Sequence, residues 1–168
     1  MSTPKTQLLN SDEVTNKIVR LAFEIYEQNF QEKEIAIIGI EPKGSLLAQL
    51  LKKEIEKISP IKVLYSTIKL EKENPLEKIE VDLPKEKFPI VPIIIVDDVL
   101  NSGRTMFYSF IPFMQSALKK IQVAVLVDRS HKKFPISADY VGYSLGTTLQ
   151  EFVEVNLNSP EEYAVYLH

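Results

Sequence analysis

The chain has 168 residues, 45% hydrophobic and 26% charged, and its 20 basic against 23 acidic residues leave a net charge of −3. This is the composition of one folded domain, and it lacks the general positive field of a non-specific nucleic-acid or membrane-surface binder, although a local basic patch stays open. With no cysteine there is no disulfide frame, no thiolate metal site and no cysteine nucleophile. Residues 1–10 read as a loose start without an apolar signal core, and no apolar run reaches membrane-spanning length, so the expected address is the cytoplasm.

Asn10 or Ser11 can cap a first helix, with Asp12 and Glu13 in its first turn and Val14, Ile18, Leu21, Ala22, Ile25 and Tyr26 at helical spacing. The β-branched run Ile35–Ile40 predicts a buried strand. A loop at Glu41–Gly44 then opens a second helix that turns Leu46, Leu47, Leu50, Leu51 and Ile55 inward. Lys62–Ile68 reads as a strand, and the charged, proline-dotted residues 69–90 as a mobile segment or small hairpin. Ile90–Val96 is the most apolar stretch and suits a central parallel strand buried on both faces.

Arg104 to Lys119 predicts a helix with Met106, Phe107, Phe110, Ile111, Met114 and Leu118 on its buried side, kinked or split at Pro112. Val123–Val127, Tyr140–Ser144 and Phe152–Val155 complete the predicted strands. Alternating strands and helices imply a single α/β domain, an open and mostly parallel sheet with helices on both faces. In such sheets, ligands bind beyond the carboxyl ends of the strands.

The strongest signal is the run from the apolar strand into Asp97-Asp98, then Asn101-Ser102-Gly103-Arg104-Thr105. Free amides at a helix start, with the Ser102 and Thr105 hydroxyls, suit a phosphate dianion, and Gly103 lets the backbone approach it. The two carboxylates would repel that phosphate, but can accept hydrogen bonds from a diol or hold a hydrated Mg²⁺. An anion site beside a diol site suits a sugar phosphate; the bland alternative is a polar strand end capped by a Ser/Thr helix start. Lys43-Gly44, after another buried strand, offers a cation and free amides to a second anion, or is only a turn. Gly39 and Gly44 have the glycine spacing of a P-loop, but Ser45 stands where that motif needs lysine. His131 reads as a surface residue, Lys132 and Lys133 as a solvated turn, and Lys52, Lys53, Glu54, Glu56 and Lys57 as a wet helix face.

The strand, the paired acids and Ser102-Gly103-Arg104-Thr105 resemble the signature of the type I phosphoribosyltransferases. The resemblance implies that Asn101, Ser102, Gly103, Arg104 and Thr105 take the 5′-phosphate of phosphoribosyl pyrophosphate (PRPP), and that Asp97 and Asp98 face the ribose as the catalytic pair. It also places Mg²⁺ at Asp97 and Asp98, directly or through water, and the pyrophosphate loop at Lys43 and Gly44. Asn101 stands where many purine enzymes of the family carry an aspartate proposed to act on the purine N7 proton, a task an amide cannot perform. Val127 to Gly142 looks most like the pyrimidine-operon regulator branch, proteins that bind RNA and make UMP from uracil and PRPP, and the similarity extends from about Leu9 to Gly142.

By this resemblance the chain has the type I phosphoribosyltransferase fold, with residues 60–88 and 143–168 supplying a small hood and the base pocket. It would be a cytoplasmic, homodimeric pentosyltransferase using Mg²⁺, with uracil the first choice of base and hypoxanthine or guanine the second. Two departures support a competing reading, a catalytically weak PRPP sensor that binds RNA or a protein. Lys69 and Leu70 stand in the flexible catalytic loop Ser66–Lys72 where relatives have Tyr-Arg or Ser-Tyr, and Ser137 replaces the usual Arg or Lys; Tyr143 to Thr148, in the base-pocket segment, also depart from the regulator pattern. The net negative charge speaks against extensive RNA contact. A third reading is an α/β domain whose loop takes another phosphorylated metabolite.

Overall fold

The computed structural model describes residues 4–71, 73–148 and 151–168. Its elements are β1 (Thr6–Leu9), α1 (Ser11–Asn29), β2 (Glu34–Ile40), α2 (Lys43–Ile58), β3 (Lys62–Leu70), β4 (Ile79–Val81), β5 (Ile93–Leu100), α3 (Arg104–Ser109), β6 (Ile121–Asp128), β7 (Tyr140–Ser144), β8 (Val153–Asn156) and β9 (Ala164–Leu167). A six-stranded sheet runs β4-β3-β2-β5-β6-β7, parallel throughout except for β4, and a smaller antiparallel sheet runs β1-β9-β8.

Strand alternation divides the core. Ile35 and Ile37 of β2, Ile94 and Val96 of β5, and Ala124 and Leu126 of β6 face one way, onto Val14, Ile18, Leu21 and Ile25 of α1 and Leu47, Leu51 and Ile55 of α2. Their neighbours Ala36, Ile38, Ile93, Ile95, Val123 and Val125 face the other way, onto Phe88, Met106, Phe113 and Ile136. Strands buried on both faces need unbroken apolar runs, and this is how β2, β5 and β6 read. At the start of α1 the Asn10 side chain accepts from the Glu13 amide at 2.9 Å, and the Glu13 side chain accepts from the Asn10 amide at 3.3 Å. That reciprocal cap contributes about 1 kcal/mol to the helix.

Four expectations are corrected. Residues 6–9, read as part of a loose start, form β1; four residues carry little local signal, and the partner is at the far end of the chain, Thr6 opposite Leu167. The central strand begins at Ile93 rather than Ile90, because Ile90 closes a turn onto the Lys87 carbonyl and is 58% exposed. It also continues to Leu100, so Asp97 and Asp98 lie within the strand, Asp97 in register with Val125. The helix from Arg104 stops at Ser109, since Pro112 has no amide for a helical bond and the chain tightens into a short 3₁₀ turn at Ile111–Phe113. Loss of the helical period rotates the apolar face: Phe113 becomes fully buried, 5.0 Å from the Phe88 ring, while Phe107, Ile111 and Met114 are exposed. Helices therefore flank both faces unequally, two long ones on one side and the six residues of α3 on the other.

Tyr140 supports the edge strand β7. Its ring is buried, its hydroxyl donates to Gln122 Oε1 at 2.7 Å, and burial first of all pushes its pKa up from 10.0 to about 12. Because the folded-state value is the higher one, stability is intact below pH 10 and falls as the pH rises toward 12, where only the unfolded chain ionises freely. Chemical denaturation across that interval is expected to show this loss, and Tyr140→Phe should flatten it. An equally steep profile in the phenylalanine variant would refute the assignment.

Candidate functional site

Among the parallel strands, β2 lies between β3 and β5, and the chain passes from β2 to β3 on one side and later to β5 on the other. This reversal sends the connections after β2 and β5 to opposite faces of the sheet, which opens a crevice between them at the carboxyl ends of the two strands. A cavity of about 270 Å³ occupies it, lined by Glu41–Lys43 after β2, Asp97–Met106 from β5 into α3, and Val153 of β8. The sequence-predicted groups Asp97, Asp98, Asn101, Ser102, Gly103, Arg104, Thr105 and Lys43 thus meet in one cavity.

Within it the two acids are not equivalent. Asp97 is buried, and its Oδ1 accepts the Asp98 amide at 2.9 Å; Asp98 is half-buried, and both line the cavity. Gly44 does not line the cavity but packs beneath it: a β-carbon there would sit 2.5 Å from the Val96 carbonyl oxygen and 3.1 Å from Asp97 Oδ1. Its role is close approach, letting the first turn of α2 rest on β5. Lys43, one residue before, is exposed at the cavity wall.

Gly103 takes φ +88°, a left-handed conformation that glycine tolerates without penalty. This turn presents the loop 101–105 as a concave run of backbone. Ser102 pins it from both sides: its hydroxyl accepts the Arg104 amide at 3.3 Å, and its carbonyl accepts the amides of Lys133 and Phe134 at 2.8 and 3.1 Å. With only six residues, α3 adds little dipole. The individual amides and hydroxyls of the loop are what an anion would meet.

The segment Ser66–Lys72, expected as a flexible loop, is instead strand through Leu70, paired with β2 on one side and with Ile79–Val81 on the other; Lys72 lies outside the described residues. The charged stretch after it is therefore the small hairpin of the two alternatives. Lys69 is held 3.9 Å from Glu41, on the rim of the site. Among the described residues no three His, Asp or Glu side chains converge on one metal position. The Asp97–Asp98 pair fits Mg²⁺ only together with substrate oxygens and water, the ligand set this ion prefers.

Arg129, to which sequence reasoning gave no role, is 8% exposed just past β6. Its guanidinium donates to Asn101 Oδ1 and Thr147 Oγ1, each at 2.9 Å, and to the carbonyls of Thr148 and Glu151. It thereby fastens the segment after β7 to the loop after β5. His131 and Lys132 belong to the same cluster rather than to a solvated surface turn: His131 bonds the Thr147 carbonyl, and Lys132 pairs with Asp128. Glu151 accepts the Thr148 amide at 2.7 Å, and that hydrogen bond holds its carboxyl below the usual range. The available signal was an arginine two residues after the apolar run Val123–Val127, a charge that has to find acceptors when buried.

The phosphoribosyl transferase domain family matches residues 5–157. A protein named "Bifunctional protein PyrR" from Deinococcus radiodurans is 34% identical over 169 residues, covering 96% of this chain and 92% of that one. Its namesake from Clostridioides difficile is 35% identical, covering 91% of each. Among solved structures, a hypoxanthine-guanine phosphoribosyltransferase from Bacillus anthracis superposes with a TM-score of 0.79 at 21% identity, over 97% of both chains. The hypoxanthine phosphoribosyltransferase of Trypanosoma cruzi gives 0.76 at 15% identity, over 96% of this chain and 95% of that one.

Proposed function

The chain belongs to the phosphoribosyl transferase domain family and is a pentosyltransferase of that type, with PyrR-like relatives, and from that premise we propose that it transfers the 5-phosphoribosyl group of PRPP to a nucleobase, releasing pyrophosphate. Uracil is the first candidate base, because the PyrR-like resemblance favours it, with hypoxanthine or guanine second. The observation that carries the reading is the placement of loop 101–105 directly after Asp97-Asp98 in the crevice between β2 and β5.

In this reading the amides and hydroxyls of Ser102 to Thr105, with Arg104, anchor the 5′-phosphate, and Asn101 begins that loop. Binding energy gained there, away from the reacting bond, positions C1 of the ribose. Asp98, with Asp97 behind it, accepts the ribose hydroxyls and favours the positive charge that develops on the sugar as the bond to pyrophosphate breaks. Lys43 steadies the leaving pyrophosphate, while Gly44 sets the spacing between α2 and β5. Mg²⁺ held at Asp98 and Asp97, in part through water, would offset the charge of the pyrophosphate. Residues 60–88 and 143–168 supply the hood and the base pocket, of which Leu149 and Gln150 lie outside the described residues.

Incubation with PRPP, Mg²⁺ and each of uracil, hypoxanthine, guanine, xanthine and orotate tests the proposal. Nucleotide should form with uracil foremost. PRPP binding without product from any base would favour the sensor, the second reading, which Lys69, Leu70 and Ser137 support. Absence of PRPP binding in calorimetry would sink both. No helix among the described residues is long and apolar enough to cross a membrane. A homodimer in the cytoplasm is part of the proposal, and extensive RNA contact is not, given the net charge of −3.

A further inference from the structure

We infer that Glu41 is a specificity-determining residue at the pyrophosphate end of the cavity: its carboxylate repels an uncompensated polyanion, so the chain discriminates between PRPP whose charge a divalent cation offsets and bare PRPP. This rests on the phosphoribosyl-transfer reading above. The charged groups lining the cavity are the carboxylates of Glu41, Asp97 and Asp98 and the cations of Lys43 and Arg104. That lining has too little positive charge for a ligand carrying both a phosphate and a pyrophosphate. Asp97 and Asp98 have ribose hydroxyls to serve. Glu41 has no such task, since it stands on the opposite wall, after β2 and two residues before Lys43.

Its position is fixed by the sheet. The Glu41 amide donates to the Ile68 carbonyl at 3.0 Å, which ties the exit of β2 to β3. Among the described residues its carboxylate makes one ion pair, with Lys69 at 3.9 Å. Those side chains are 34% and 64% exposed, so water screens a loose pair and most of the Glu41 charge stays in force. The same wall also attracts anions. The N-terminus of α2 has no side-chain cap, which leaves its first amides open to an acceptor. An amide rewards any phosphate oxygen placed against it, whereas a carboxylate responds to the ligand's net charge. Together they hold diphosphate oxygens and penalise charge that nothing offsets.

Glu41→Gln is the sharpest variant, because it keeps the shape and removes only the charge. Titration calorimetry at physiological salt compares PRPP under Mg²⁺ saturation with PRPP in excess chelator. We expect the metal-free affinity to rise about tenfold in Glu41→Gln, the cost of a like charge near a polyanion. The Mg²⁺-saturated affinity should change less, and the melting temperature should stay in place. Glu41→Asp should keep the wild-type ratio of the two affinities. Ribose 5-phosphate, which has no pyrophosphate, should bind both proteins alike. The gain should also survive in a Lys69→Met background, since it comes from a lost charge and not from a released lysine. No gain in metal-free binding, an equal gain for ribose 5-phosphate, or a gain that needs Lys69 overturns the inference, while Mg²⁺-dependent PRPP binding by the wild type leaves the phosphoribosyl reading standing. If the wild type binds neither PRPP nor ribose 5-phosphate under any of these conditions, that reading has failed and takes this one with it.

Discussion

Asp98→Asn is expected to weaken PRPP binding about 10- to 150-fold while leaving the melting temperature where it was. The loss is that of one hydrogen bond to a charged acceptor, about 1.5–3 kcal/mol. The fold is spared for a local reason. Asp98 is half-buried, the swap keeps its shape, and the internal bond at this position uses the Asp98 backbone amide, donated to Asp97 Oδ1, not its side chain. Turnover should fall further than binding, because a neutral amide no longer favours positive charge on the sugar. Titration calorimetry with PRPP, alongside a thermal melt, measures both halves. Wild-type affinity and turnover in this variant would remove Asp98 from the site.

Gly44→Ala should damage both fold and site through a single methyl group. The added carbon would lie 2.5 Å from the Val96 carbonyl oxygen and 3.0 Å from the Asp97 Cα, both backbone atoms of the central strand. Neither can rotate away, so the first turn of α2 has to lift off β5. Overpacking of this kind costs about 1–3 kcal/mol. For a chain of this size that corresponds to a melting temperature about 2–12 °C lower. Lifting α2 also shifts Lys43 and Glu41 relative to Asp97, so PRPP affinity should fall even in the folded fraction. A variant that melts and binds as the wild type would show that the contact at Gly44 has room to relax.

Much of this was legible in the sequence because buried parallel strands must be apolar without interruption and amphipathic helices must repeat at 3.6 residues. Those two constraints place α1, α2, β2, β6 and β7 within a few residues. The paired acids and the Ser-Gly-x-Thr turn were legible for a different reason, since chemistry restricts the residue types there. What escaped depends on partners remote in sequence. Nothing in Thr6–Leu9 announces a strand whose partner is Ala164–Leu167. Phe107, Ile111 and Met114 fit a helix that Pro112 does not permit. Arg129 looks like any surface arginine until Asn101, Thr147 and the carbonyls beyond it surround the guanidinium.

The pairing of β1 with β9 carries a consequence for how the molecule matures. On the ribosome the six-stranded sheet, with the crevice between β2 and β5, can assemble once β7 has emerged, since all of its strands are then available. β1 has to wait, unpaired, until its complement at Ala164–Leu167 has been synthesised, and closing so long a loop is the entropically slow event. β8, which brings Val153 to the cavity, zips onto β9 in the same late phase. The nascent protein would therefore hold the crevice between β2 and β5 before its far wall is in place, and the cavity would be completed in two stages.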